Sequence, residues 1–155
     1  MAQRIGAKDI TVSLGYLKVC LNQITLDIED NIEVAKDDGI PNGWVAGDVG
    51  AGGDAEVDAL ALSILTEEAE SAGSWRDLPE FDVLFHAKVA SGEELKVEAF
   101  GCKFSMESLI NANKNEGGSK HVSKLKFIVT SPDFVRINGV PYLGAKETAN
   151  IVRPE

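Results

Sequence analysis

Histidine and cysteine each occur only twice in the 155 residues, and no run of about 18 apolar residues is present. These scarcities exclude much chemistry. Cys20 and Cys102 are far apart, lack CxxC spacing and sit in strand-like apolar patterns, so they read as buried free thiols rather than a disulfide framework or a metal pair. His86 and His121 stand at polar positions beside strand-like runs, in no nucleophile or metal-ligand motif. The stretch GDVGAGGD has neither GxGxxG spacing nor the Lys-Ser/Thr ending of a P-loop, so phosphate cradling is excluded. Asp37-Asp38-Gly39 and Asp48 to Asp54 offer oxygens, but not in EF-hand order, and loop aspartates are ordinarily turn residues. The expectation is therefore no enzyme, no metal and no cofactor. The N-terminus lacks the basic, apolar, small-residue order of a signal peptide, which predicts folding in the cytoplasm with no membrane involvement.

Bases are scarce in one region above all. From Leu26 to Asp82 there are sixteen acids against two bases, Lys36 and Arg76, whereas the remainder holds nine acids and thirteen bases. A net charge of −10 repels phosphate backbones and argues against sequence-independent binding of nucleic acid. The carboxylates also fall at strand spacing. Asp54, Glu56 and Asp58 alternate with Ala55, Val57 and Ala59, and Asp27 and Glu29 alternate with Leu26 and Ile28. Because successive side chains of a strand point to opposite faces, each segment offers an apolar face to a core and an anionic face to its surroundings. The plain alternative is an ordinary solvated acidic surface. A carboxylate pair for glycoside hydrolysis would need a cleft that raises one pKa, and nothing in the pattern supplies one.

With 44% hydrophobic residues, the chain is about one domain long and can bury a core. Its dominant period is two. Ile10, Val12 and Leu14, then Leu17, Val19 and Leu21, flank Gly15 as a hairpin; the phase changes at Asn22-Gln23, where Ile24, Leu26 and Ile28 take over, and predicts a bulge or bend. Residues Ile32 to Gly47 read as a long loop rich in turn formers yet carrying Ile40, Trp44 and Val45. One helix follows, with Leu62, Leu65 and Ala69 on one face and Glu67, Glu68 and Glu70 largely opposite, ending near Gly73. Val83 to Val89 and Leu95 to Ala99 form a second hairpin around Ser91-Gly92, with a second phase change to Phe100, Cys102, Phe104 and Met106. After the polar NANKNEGGSK come Leu125, Phe127 and Val129, then a hairpin around Asn138-Gly139. The sum is a mainly β chain with one α-helix, an antiparallel sandwich or barrel.

Three stretches carry a resemblance. VTSPDFVRINGVPYL (Val129 to Leu143), SAGSWRDL (Ser71 to Leu78) and KVEAFGCKF (Lys96 to Phe104) resemble a family of small tail proteins from temperate phages with contractile tails, over nearly the whole chain. The resemblance implies a tail-tube type of β-barrel with a helix at its side, protomers joined into hexameric rings, and rings stacked into a tube through which DNA passes. It further implies sheath, baseplate and tail-terminator partners and a place in the virion tail after assembly in the host cytoplasm. On that footing Asp27, Glu29, Asp54, Glu56 and Asp58 are candidates for lining the channel, with exposure to outside solvent as the competing reading. Lys96, Lys124 and Lys126 could offset their repulsion by cross-strand pairing. Ile40, Trp44 and Val45 are candidates for ring-to-ring contact, the alternative being that Trp44 folds back on its own core. Trp75 is read as packing the helix end. A type VI secretion-like tube protein, a ligand-binding β-sandwich and a small hydrolase stand as other readings.

Overall fold

The computed structural model describes Arg4, Gly6, residues 11–14, 17–18, 21–110 and 122–151. Gly15, Val19, Cys20, His121 and the NANKNEGGSK stretch lie outside the described residues. In chain order the elements are β1 (Thr11–Leu14), β2 (Leu17–Lys18), β3 (Leu21–Ile24), β4 (Asp27–Asp30), β5 (Glu33–Asp37), β6 (Ile40–Val45), β7 (Val49–Val57) and α1 (Ala59–Ala72). There follow β8 (Phe81–Lys88), β9 (Glu94–Ser108), β10 (Ser123–Val129), β11 (Val135–Ile137), β12 (Val140–Pro141) and α2 (Ala145–Thr148). An antiparallel sheet runs β2-β1-β8-β9-β10-β7-β3, with β4 beside β7, β11 beside β9 and β12 beside β11. It curls into a half-barrel.

Both phase changes mark bulges. Leu21 faces Val57 but Gln23 faces Glu56, so one residue of β3 is extra at the place where its apolar positions shift. In β9, Phe81 faces Cys102 while Val83 faces Ala99, and the extra residue includes Gly101 at φ +63°. A side chain there would be strained, and a Cβ would lie 2.9 Å from that of Ser131. The Asp82 carboxylate accepts from the Gly101 amide at 3.0 Å and fixes the bend. Up to Cys102 β9 pairs with β8, and over Val97 to Ala99 with β11 on its other side; from Cys102 onward it pairs with β10.

In strand order and helix count, two sequence expectations need correcting. The first hairpin is short: β2 pairs with β1, but β3 leaves for β7 on the other side of the sheet. Alternation decides which face of a strand is buried, not which neighbour it joins. A second helix also exists, the single turn of α2, where the Glu147 carboxylate accepts from the Gly144 amide at 2.8 Å. The Asn138-Gly139 turn forms as read, with both residues at positive φ and Ile137 opposite Val140.

Helix α1 lies against the apolar face of the sheet. Ala61, Leu65 and Ala69 are its buried residues, and they join Val57, Phe81, Val83, Ala99, Phe104, Leu125 and Phe127 in one core. Phe104 links the aromatic series, 6.2 Å from Phe81 and 5.3 Å from Phe127 between ring centroids. Burying a side chain such as Leu65 contributes about 1.5–3 kcal/mol. Trp75 is half-buried against this core, as read.

Cys102 is a free, buried thiol. Burial first, and then the nearby Asp82 charge, push its pKa from the ordinary 9.0 up to about 12. Between those values the unfolded chain releases a proton that the folded chain retains. This contribution to stability is therefore intact below pH 9 and is lost as pH rises toward 12, with a slope approaching about 1.4 kcal/mol per pH unit. Denaturant titrations from pH 8 to 11 should show that fall, and Cys102→Ala should remove much of it. A slope unchanged by the substitution would contradict the assignment.

Candidate functional site: a charged sheet face and an exposed hairpin

In β7 the alternation seen in the sequence sends Ala55 and Val57 into the core and leaves Asp54 exposed and Glu56 half-buried on the opposite face. Residues directly opposite across strands share a face, so register extends the pattern. On β10, Lys126 faces Asp54 and Lys124 faces Glu56, with Lys124 Nζ 3.7 Å from Glu56 Oε1. On β4, Asp27 faces Gly52 and Glu29 faces Gly50, both exposed, while Ile28 packs against the core. Asp27, Glu29, Asp54 and Glu56 thus occupy one face of the sheet, the face away from α1.

Asp58 does not continue this row. The strand ends at Val57, and Asp58 is the N-cap of α1, its carboxylate accepting from the Ala61 amide at 2.9 Å. An aspartate just before a helical apolar pattern is a capping signal, and here it prevailed over strand alternation. Lys96 is likewise elsewhere. It ion-pairs with Glu98 at 3.4 Å on the part of β9 before the bend, opposite His86, whose Nε2 lies 3.2 Å from Glu94 Oε1.

The acidic strands are held at their junctions. Between β3 and β4 the Thr25 amide donates to the Asp54 carbonyl at 2.8 Å, and the Asp54 amide donates to Thr25 Oγ1 at 3.0 Å. The approach is so close that a Cβ on Gly53 would lie 1.9 Å from the Thr25 carbonyl oxygen. At the far end of β4, Tyr142 donates its hydroxyl to Asp30 at 2.6 Å, bringing the C-terminal segment onto this strand. That hydrogen bond holds the Tyr142 phenol above its ordinary 10.0.

The region read as a long loop is a two-stranded hairpin, β5 against β6. Its turn is Asp38-Gly39, both at positive φ, the two-residue geometry that Asp-Gly favours. The signal was present in the sequence, but its flanking strands do not alternate cleanly, since the register slips between Val34 and Lys36. Trp44 sits opposite Val34 and is 68% exposed; Ile40, Val45, Ile32 and Val34 are exposed as well. Trp44 does not fold back on its own core.

Elsewhere, an open hollow of about 280 Å³ is lined by Ile24, Leu26, Phe85, Ala87, Leu95 and Val97, with His86 at its side. Its walls are apolar and hold no carboxylate pair. Among the described residues no group of His, Cys, Asp or Glu gathers as metal ligands, and no helix is long and apolar enough to cross a membrane.

Residues 8–143 match the family model described as Bacteriophage HP1, Orf24. The chain belongs to the phage HP1 Orf24 family. A relative from Haemophilus phage HP1 (strain HP1c1), described as a tail tube protein, is 44% identical over 150 residues, covering 97% of this chain and 99% of its own. The resemblance to phage tail proteins read from three stretches therefore holds along the whole Orf24-family chain. Solved structures share the fold. A chain of the extended sheath–tube complex of PVC, an extracellular contractile injection system, superposes with a TM-score of 0.66 at 13% identity, covering 88% of this chain and 93% of that one. A chain of the tube-terminating cap of the anti-feeding prophage gives 0.68 at 14% identity, covering 89% and 93%. The mainly β fold is thus the one the sequence pattern predicted, and its tail-tube type the one the resemblance implied.

Proposed function

We propose that this chain is a tail tube subunit of a phage virion. Copies join into hexameric rings, and the rings stack into the channel through which DNA leaves. The observation that carries the reading is the relative described as a tail tube protein, which matches almost end to end.

Strand accounting supports ring formation. The charged face is built in four ranks, β3 continued by β4, then β7, β10 and β9 beyond its bend, each antiparallel to the next. Among the described residues β4 pairs only with β7, and Lys103 to Ser108 of β9 pair only with β10. Four alternating ranks make an even repeat. The β4 edge of one copy therefore meets the β9 edge of the next in antiparallel sense, and a closed ring leaves no open edge. The face away from α1, bearing Asp27, Glu29, Asp54 and Glu56, then turns inward as an anionic wall that phosphates do not grip. Asp58 is withdrawn from that wall to cap the helix.

The exposed β5–β6 hairpin supplies the open-ended contact that stacking requires, since one surface must fit a different surface of the next ring. Sheath, baseplate and terminator proteins are the partners at the tube's outside and ends. Negative-stain microscopy of purified protein, with sedimentation over a concentration series, tests the reading. Rings or tubes with concentration-dependent sedimentation are expected; a strictly monomeric species at high concentration would overturn it.

A further inference from the structure

We propose that Glu56 and Asp54 guard two wall lysines, Lys124 and Lys126, so that a polyanion moving past the sheet meets neutral pairs instead of a ring of cations. The inference rests on the tube reading above. Lysines on a channel wall present a difficulty, because each one repeated around a ring would release counterions from DNA and hold it.

The register resolves the difficulty. Lys124 stands directly opposite Glu56, with 3.7 Å between Nζ and Oε1, and Lys126 stands directly opposite Asp54. Continuing outward in the same rows, the neighbours are uncharged: Gln23 beyond Glu56, Ser108 beyond Lys124 and Ser105 beyond Lys126. Lys124 and Lys126 therefore each have a carboxylate as the charged residue directly across the strand, whereas Lys103, on the same face opposite Ile128, donates its ammonium to the Leu78 carbonyl. Asp27 and Glu29 are arranged differently. They face Gly52 and Gly50, which have no side chains, so their charge is not cancelled across the strand. The wall keeps a net negative sign from β4 while β7 and β10 neutralise each other. Pairing also relieves the repulsion that a wall of carboxylates alone would suffer between adjacent strands.

The test uses tubes assembled from purified protein and linear double-stranded DNA at about 50 mM salt. Wild-type tubes should retain almost none on cosedimentation. Tubes of Asp54→Asn/Glu56→Gln should retain at least about tenfold more, protected from nuclease and released steeply by about 200 mM salt. Adding Lys124→Gln/Lys126→Gln should return retention to the wild-type level. Glu67→Gln/Glu70→Gln makes the same change in net charge on exposed residues of α1 and should have no effect. Unchanged retention in the first variant, or equal retention in the helix control, would overturn the guarding role. DNA bound but open to nuclease would instead overturn the inward placement of the face, so the two failures are distinct. Should the guarded pairs prove necessary for assembly, unassembled subunits on a DNA-cellulose column give the same comparison. The guardless variant should then elute at higher salt than the helix control, and co-elution would refute the proposal.

Discussion

The Trp44→Ala protein is expected to fold like the wild type yet to fail to form tubes at concentrations where the wild type polymerises. Trp44 is 68% exposed and is no part of the buried core, so its removal should change monomer stability by no more than about 0.5 kcal/mol. As an aromatic anchor at an interface centre it should instead cost about 2 kcal/mol or more per contact, roughly a 30-fold weakening. Every subunit repeats that loss, so the critical concentration should rise sharply. Trp75→Ala provides the contrast. Trp75 packs against the monomer core, and its loss should lower the denaturation midpoint. Normal tubes from the Trp44 variant would exclude the hairpin from ring stacking.

A second large effect is expected at Gly53, with a change of sign only three residues away. Valine at Gly53 would place a Cβ 1.9 Å from the Thr25 carbonyl oxygen, and backbone there cannot yield as the end of a flexible side chain would. The substitution should cost on the order of 2–4 kcal/mol and accelerate amide exchange along β3 and β4. Gly50→Ala meets nothing within 4 Å, so it should be neutral or add about 0.4–1 kcal/mol by restricting the unfolded chain. Urea titrations of both variants decide the matter. Equal destabilisation by the two would contradict the close packing of β7 against the β3–β4 junction.

Much of this arrangement was legible in the sequence because a strand with one buried face must alternate. Val83, Phe85 and Ala87 announced β8, and the two breaks in phase marked the bulges at Gln23 and Gly101. The face shared by Asp27, Glu29, Asp54 and Glu56 follows from the same period, once register sets β4 beside β7. What escaped was decided by competition or by partners distant in the chain. Asp58 fits both a strand and a helix cap, and the unsatisfied amides at the start of α1 decided between them. The β5–β6 hairpin escaped because both of its strands are exposed and so carry no buried face to impose alternation. That β3 would choose β7 over β1 depended on a strand some thirty residues onward, which period alone does not encode.

In the proposed assembly, many copies share one sheet whose charged face turns inward. An electron cryomicroscopy reconstruction of the assembled protein tests it directly. Asp27, Glu29, Asp54 and Glu56 are expected around a central bore, with β4 of each subunit paired to β9 of its neighbour. A reconstruction with those carboxylates on the outer surface, or with β4 unpaired between subunits, would contradict it.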